Sequence, residues 1–423
     1  MKKITVFLLA LLLLLSLCAC NRTEPEGNTG ETTSVSAYKS KGEYPKLQGQ
    51  LTWEGLNSIP IKRSDMTTEE MRDLVVQFFR FDKNALWIPD TDYEFVNKGT
   101  VSNSVTGGQV YGSLPYMTVS SGNLYRLMDY MDEETGVVDI QSAGQNPFLL
   151  GNQCSFCAWW AWARVVNSAN YGYTARLVAL NGCVPVGTLL YDPELKGFNS
   201  KYGTDEVVKE TDPQTLYENY AQLQKGDGIV NYTSAGHVVM ISDDVHVERT
   251  AEGQIDPGRS YVTVIDQAGG WMNNVNEYGE SYTHAANLDA KWTFLYLSQK
   301  NYLPFTYKEF LGQDPVEETE VTLTHQGGTI TKDQIYRLSV QANYTVADLY
   351  VEIHDAKGNE ILKVAGRCTS PDQRQIQLSA ALDAEHMVLW GDWDTVNTGD
   401  KVTVYAQLGT GERPTLWEGT FTR

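Results

Sequence analysis

A helix is predicted to begin within Gly151-Asn152-Gln153-Cys154-Ser155-Phe156-Cys157-Ala158-Trp159-Trp160. We expect it to run from Cys154 to Asn167. Because Trp159, Trp160 and Trp162 cannot all lie on one face, this helix should be buried on most sides. A cysteine in the first turn is near the positive end of the helix dipole and near backbone N–H groups, which lower a thiol pKa and can hold an oxyanion. The segment therefore predicts a nucleophilic thiol on a buried helix.

Two further elements follow in order along the chain. Lys225-Gly226-Asp227 precedes a predicted strand, and Gly236-His237-Val238 lies on the next one. A thiol hydrolase needs a thiolate and an imidazole that takes and returns its proton, and these groups can be distant in sequence. Asp227 is expected to shape a turn. Together with Cys154, the two elements predict a cysteine hydrolase.

The expected fold class is α+β, with the cysteine-bearing helix packed on an antiparallel sheet and an all-β, sandwich-like domain after it. A capping box at Thr67 and the spacing of the apolar residues after it predict a first helix near Met66 to Arg80. Alternating runs beyond residue 320 predict the sandwich. Other predicted elements are short helices at Asn123–Met131 and Leu216–Leu223, an irregular segment at Leu189–Pro213, and strands at Gly228–Asn231, His237–Ser242, Ser260–Gln267 and Lys291–Leu297.

The N-terminal residues predict a targeting signal. Lys2 and Lys3 precede an apolar run from Ile4 to Leu17, which is shaped like a signal peptide. Leu17-Cys18-Ala19-Cys20 resembles a bacterial lipobox, which implies cleavage before Cys20 and a diacylglycerol anchor on it. We therefore expect the protein on the extracytoplasmic face of the cell membrane. The predicted divisions are a signal peptide (1–19), lipid anchor and flexible tether (20–45), hydrolase domain with an N-terminal extension (46–303), linker (304–320) and sandwich domain (321–423).

Composition excludes several classes of function. The 423 residues carry a formal net charge of −20, which argues against nucleic acid as a partner. The cysteines left after lipidation are too few for a disulfide scaffold in a chain of this size. The six histidines lack the paired spacing of a zinc site such as HExxH. No catalytic metal and no cofactor are therefore expected.

The spaced elements resemble the NlpC/P60 family and the related CHAP amidase/peptidase family. Leu114-Pro115-Tyr116 is similar to their Pro-Tyr segment, Gln153-Cys154-Ser155 to the element around their nucleophile, Lys225-Gly226-Asp227 to their Gly-Asp turn, and Gly236-His237-Val238 to their Gly-His strand. The resemblance covers about residues 105 to 300. It implies a papain-like fold, amide hydrolysis, and peptidoglycan stem peptides as the substrate class.

The resemblance also implies roles for single residues. Cys154 would be the nucleophile and His237 the general base and then acid. A polar residue on the following strand, Asp266 or Gln267, would orient the imidazole. Since neighbours on a strand point to opposite faces, only one of the two should reach the site, and the CHAP-like position and charge favour Asp266. Tyr116 would donate a hydrogen bond to the oxyanion.

Three alternatives remain open at this point. The run from Cys154 to Trp159 also resembles the papain pattern in which the second cysteine, here Cys157, attacks and the first is disulfide-bonded, with Cys183 as its partner. Cys154 and Cys157 have the spacing of a thiol-disulfide oxidoreductase, although the predicted antiparallel strands do not suit that fold. A lipid-tethered, non-catalytic binding protein is the third alternative.

Overall fold

The computed structural model describes residues 44, 46–97, 100–117, 122–144, 150–167, 183–189, 198, 202–233, 236–368, 373–379 and 386–423. The predicted signal peptide and the lipidation site Cys20 lie outside these residues. In the described part the fold is α+β, with more strand than helix.

The N-terminal extension is built around one long amphipathic helix, α2 (Thr68–Asn84). The predicted capping box is present: the Thr67 hydroxyl accepts from the Glu70 N–H, and the Glu70 carboxylate accepts from the Thr67 N–H. The helix ends four residues later than predicted. The elements of this region are α1 (Trp53–Ser58), α2, β1 (Leu86–Pro89), β2 (Tyr93–Asn97), β3 (Thr100–Val105), β4 (Tyr111–Gly112), α3 (Leu124–Met128), β5 (Met131–Asp132), β6 (Val137–Val138) and α4 (Ile140–Gly144).

The cysteine-bearing helix is α5 (Cys154–Trp162), and all of its residues are buried, as the tryptophans predicted. It packs against α2 and against strands β9 and β10. It ends five residues before the predicted Asn167. The following elements are β7 (Cys183–Pro185), α6 (Thr204–Glu210), α7 (Pro213–Tyr220), β8 (Gly228–Tyr232), β9 (Gly236–Ile241), β10 (Tyr261–Val275), β11 (Ser281–Thr293), α8 (Phe294–Gln299) and β12 (Leu303–Tyr307).

These strands form one ten-stranded sheet in the order β5-β6-β1-β4-β11-β10-β9-β8-β12-β7. Strands β8 to β11 are antiparallel neighbours, as expected from their turn-separated runs. Strand β4 of the N-terminal extension joins β11 in parallel, with Tyr111 opposite Thr283. The extension is therefore continuous with the sheet that carries the candidate site.

Other predicted elements also differ from the structure. The strand predicted at Lys291–Leu297 ends at Thr293, because the Thr293 hydroxyl accepts from the Tyr296 N–H and starts α8. The predicted irregular segment Leu189–Pro213 contains α6 in its described part. The predicted linker 304–320 begins inside β12. Pro304 lies in this strand, and its carbonyl accepts from the Val186 N–H at 3.2 Å.

The C-terminal residues form two sheets, one in the order β13-β15-β18 and one in the order β14-β21-β20-β16-β17-β19. They pack face to face at Gly366, where the Leu378 side chain lies 2.6 Å from the position that a Cβ would take. The elements are β13 (Val321–Leu323), β14 (Thr329–Ile330), α9 (Lys332–Ile335), β15 (Ser339–Ala342), β16 (Val346–His354), β17 (Glu360–Arg367), β18 (Gln375–Gln377), β19 (Met387–Gly391), β20 (Lys401–Leu408) and β21 (Thr415–Phe421).

Buried ion pairs connect α3 to the C-terminal sheets. The Arg126 guanidinium lies 2.9 Å from the Asp348 carboxylate on β16. Asp129, which follows α3, pairs with Arg367 at 2.5 Å and with Lys363 at 3.0 Å, both on β17. We call these five residues the junction. It joins the two parts of the chain through charged groups.

Candidate active site

Cys154 is the first residue of α5. Gln153 before it has an extended backbone, and its side chain makes no capping hydrogen bond. The Cys157 N–H donates to the Gln153 carbonyl at 2.9 Å, which starts the helical hydrogen bonding. The thiol thus lies at the positive end of the helix dipole.

The segment that carries Tyr116 runs beside the residues that precede this helix. The Asn152 N–H donates to the Pro115 carbonyl at 3.1 Å, and the Met117 N–H donates to the Asn152 carbonyl at 2.9 Å. Tyr116 and Asn152 therefore form a parallel bridge. Tyr116 lies beside the backbone two residues before Cys154, although a long stretch containing α3 and α4 separates them in sequence.

His237 lies near the start of β9, between β8 and β10. Its backbone N–H donates to the Asn231 side chain on β8 at 3.0 Å. Its Nε2 lies 2.7 Å from Asp266 Oδ2 on β10. Cys154 also interacts with this imidazole, and its negative charge contributes to the raised pKa of His237.

The pKa of His237 depends on opposing effects. Burial alone would lower it, but the negative charges of Cys154 and Asp266 and the hydrogen bonds to both raise it well above the ordinary value. The His237 side chain keeps 28% of its surface exposed, whereas Asp266 keeps 2%. The imidazole is therefore favoured as an imidazolium, and it still has an edge open to solvent.

Asp266 is fixed by both of its carboxylate oxygens. Oδ2 faces His237, and Oδ1 accepts from the Asn287 backbone N–H and from Asn287 Nδ2, both at 2.9 Å. Asn287 lies opposite Asp266 on β11. A carboxylate held in this way orients the imidazole and stabilises its positive charge. The row of sulfur, imidazole and carboxylate can move a proton between Cys154 and His237.

Gln267 points to the opposite face of β10, as strand alternation predicted. Its Nε2 donates to the Leu114 carbonyl at 2.9 Å, and its Oε1 accepts from Lys83. The structure brings Asp266 to His237 and does not bring Gln267 there.

Cys157, the alternative nucleophile, faces α2 instead of His237. Its thiol donates to Asp82 Oδ2 at 3.3 Å. Burial raises the pKa of Cys157 far above its usual range, and although Lys83 opposes this, Asp82 adds to the rise. Cys154, Cys157, Cys183 and Cys368 form no disulfide within the described part of the chain. The Cys154–Cys183 bond of the papain-like alternative is thus not present in this structure.

The Lys225-Gly226-Asp227 turn is structural, as predicted for Asp227. The Asp227 carboxylate pairs with Arg72 of α2 at 2.6 Å and accepts from the Gln224 N–H at 2.7 Å. Gly226 has a φ of 85°, a left-handed conformation that favours glycine. Its carbonyl accepts from the Trp162 indole at 2.8 Å. The turn therefore ties α2, α5 and the strand of His237 together.

Sequence reasoning missed Asp82, Lys83 and Asn287. A signal for the first two exists, because Asp82 follows Phe78 by four residues and Lys83 follows Phe79 by four. Both charges therefore continue the buried face of α2. Asn287 has no such signal, since its role depends on the register of β10 with β11.

The remaining titratable groups lie outside this row. His246 is exposed, with Nε2 3.3 Å from Glu248 Oε1. His284 is buried, and burial lowers its pKa to about 4. Among the described residues, Glu352, His354 and Glu360 could hold a metal ion on the C-terminal sheets. The Lys363 ammonium lies 3.7 Å from Glu352 Oε1 and competes with a cation there.

Comparison with known proteins found no match to this chain among protein-family models, curated proteins or solved structures. Within the described residues, no helix has the length and apolar character needed to cross a membrane.

Proposed function

We propose that the protein is a cysteine hydrolase with a papain-like domain, and that it cleaves amide bonds in peptidoglycan stem peptides. One observation carries the proposal. The His237 imidazole contacts Asp266 at 2.7 Å through Nε2, and Cys154 interacts with the same imidazole and raises its pKa. Nucleophile, base and orienting carboxylate thus form one row.

The geometry supports the following steps. The Cys154 thiolate attacks the carbonyl carbon of the amide, and the oxygen becomes an oxyanion near the start of α5 and Tyr116. The His237 imidazolium donates its proton to the leaving nitrogen, and the C–N bond breaks. An acyl-thioenzyme remains. Neutral His237 then takes a proton from water, which attacks the thioester and releases the acid.

The substrate class and the location rest on resemblance. The NlpC/P60-like and CHAP-like elements favour stem peptides of the cell wall. A lipid on Cys20 would tether the enzyme to the extracytoplasmic face of the membrane, within reach of that substrate. The acidic chain has no charge pattern that favours nucleic acid.

A thiol-disulfide oxidoreductase has less support. That chemistry requires the second cysteine of the pair to act as a thiolate. Cys157 is buried and donates to Asp82, and its raised pKa keeps it protonated. The sheet next to α5 is antiparallel at β8 to β11 rather than of the thioredoxin βαβ kind.

The test is amide hydrolysis by the purified full-length chain in detergent. We expect it to release new amino groups from peptidoglycan or from synthetic stem peptides, and to lose this activity after iodoacetamide treatment or in Cys154→Ala. Cys183→Ala is the matched control, since it removes another buried thiol and should keep activity. Hydrolysis that survives thiol blocking would contradict the mechanism. Complete inactivity on all wall substrates would favour the binding alternative.

A further inference from the structure

A continuous series of buried polar contacts runs behind the candidate site. The Cys157 thiol donates to Asp82 at 3.3 Å, and the Asp82 carboxylate lies 2.8 Å from the Lys83 ammonium. Lys83 also donates to Gln267, whose amide donates to the Leu114 carbonyl at 2.9 Å. All five residues are buried. We call this series the buried polar chain.

The two ends of the buried polar chain lie next to two parts of the site. Cys157 is one turn after Cys154 on α5. Leu114 is two residues before Tyr116. The polar chain therefore connects the helix of the candidate nucleophile to the segment of the candidate oxyanion donor, through α2 and β10.

The Tyr116 segment needs such support because its backbone is strained. Ser113, a buried residue, has a φ of 63°, which is unfavourable for a residue other than glycine. The Trp87 indole donates to the Ser113 carbonyl at 2.8 Å. Gln267 donates to the Leu114 carbonyl, and the Asn152 N–H donates to the Pro115 carbonyl. The carbonyls of three successive residues therefore each accept a hydrogen bond. The segment is thus fixed from several sides.

The buried polar chain consists of polar and charged groups where apolar side chains could also pack, and this indicates a role other than stability. Burying the charges of Lys83 and Asp82 costs several kcal/mol, and well-packed apolar residues would often give equal or greater stability. Hydrogen bonds have direction, however, whereas apolar contacts do not, and a fully paired network selects one arrangement. Burial alone would lower the pKa of Lys83, but the Asp82 carboxylate raises it, so the ammonium stays charged and keeps its donors.

We propose that Lys83 and Gln267 are positioning residues that set the distance between the Cys154 sulfur and the Tyr116 hydroxyl. This inference rests on the proposed hydrolase function. Neither residue touches the substrate. They act through Tyr116, which donates to the oxyanion only when its segment is held against the start of α5.

The kinetic test uses Gln267→Leu, which removes both hydrogen bonds and leaves the Asp82–Lys83 pair intact. We expect kcat to fall about tenfold or more while KM changes little. Alkylation of Cys154 needs no oxyanion donor and should keep its wild-type rate and pH profile. Gln109→Leu is the matched control, because it removes a side-chain bond to Thr283 of β11 and leaves Leu114 untouched. An equal loss of kcat in both variants, or a parallel loss of alkylation, would overturn the proposal.

A double-mutant cycle tests whether Gln267 acts through Tyr116. Tyr116→Phe alone should lower kcat about 100-fold, as expected for loss of one oxyanion donor. In that background, Gln267→Leu should cost less than about threefold more, because the group that it positions is already absent. Fully additive effects would contradict a shared route.

Hydrogen exchange tests the positioning without requiring activity. In Gln267→Leu, the Met117 and Asn152 amides should exchange at least about fivefold faster, whereas Gln109→Leu should match the wild type. Unchanged exchange in Gln267→Leu would overturn the inference. Lys83→Met is less suitable, since it leaves the Asp82 carboxylate in the core without its cation. If the wild type hydrolyses nothing, the proposed function fails, and the exchange rates still decide whether Gln267 holds the segment.

Discussion

Two regions with buried charges, the junction and the candidate site, differ in their access to solvent. At the junction, the side chains of Arg126 and Asp348 keep 1% and 0% of their surface exposed. At the site, Asp266 is equally enclosed, but its partner His237 keeps 28%.

The difference in solvent access distinguishes a structural role for the junction from a catalytic role for the site. A pair closed on all sides can fix the relative position of two elements, but it cannot exchange protons with a molecule from solvent. A pair with one open edge can do so, because the exposed imidazole can reach a substrate while the buried carboxylate holds its orientation. We therefore expect substitutions at the junction to change stability and substitutions at the site to change rate.

The largest expected effect is at the junction. Asp129→Asn leaves Arg367 and Lys363 without their shared carboxylate and should lower the free energy of unfolding by about 3–5 kcal/mol at neutral pH. The rate per folded molecule should stay near that of the wild type. Chemical denaturation followed by circular dichroism, with kinetics on the folded fraction, measures both. A large loss of kcat with unchanged stability would contradict the structural role of the junction.

The same residue predicts an acid dependence. Burial alone would raise the pKa of Asp129, but Arg367 and Lys363 lower it below its ordinary value. A lowered carboxyl pKa stabilises the fold at pH values above the ordinary unfolded value of about 3.9, and this contribution is lost as pH falls through the lowered pKa. Asp129→Asn should remove that part of the acid sensitivity. Unfolding midpoints measured from about pH 7 to pH 3 would reveal it.

The next effect is at the site. Asp266→Asn should lower kcat about 100-fold or more, equivalent to about 2.7 kcal/mol, with little change in stability. Loss of the carboxylate charge also lowers the pKa of His237, so the alkaline limb of the pH–rate profile should move to lower pH. If Gln267→Ala lowers kcat more than Asp266→Asn does, Gln267 and not Asp266 orients the His237 imidazole.

The smallest effect is expected at Cys157. Cys157→Ala removes a donor to Asp82 but no atom that contacts the substrate, so we expect kcat to fall less than about tenfold. Cys157→Ser keeps a donor and should lie closer to the wild type. Steady-state rates of the three proteins give the comparison. Abolished turnover in Cys157→Ala, with Cys154→Ala active, would reverse the assignment of the nucleophile.

Local rules were sufficient for several features of the site. The placement of Cys154 at a helix start follows from the residues around it. The separation of Asp266 and Gln267 onto opposite faces follows from strand geometry. The capping box at Thr67 and the turn at Asp227 are likewise readable, because each depends on contacts within a few residues.

Contacts between residues distant in sequence could not be predicted from the sequence. Asp348 lies far from Arg126 in sequence, and no local pattern pairs them. The bond between Lys83 and Gln267 depends on how α2 packs on β10, and that between Asp266 and Asn287 depends on strand register. The predicted linker begins at Pro304, yet this residue lies inside β12 and pairs with Ile229 of β8.

The most direct test of the central claim is the rate of iodoacetamide modification at each cysteine, measured by peptide mass spectrometry. We predict that Cys154 is modified much faster than Cys157 at neutral pH, because Cys154 interacts with the His237 imidazolium whereas the Cys157 thiol is buried and donates to Asp82. His237→Ala should slow the modification of Cys154 toward the rate of an ordinary thiol. Faster modification of Cys157, or a Cys154 rate that His237→Ala leaves unchanged, would contradict the account.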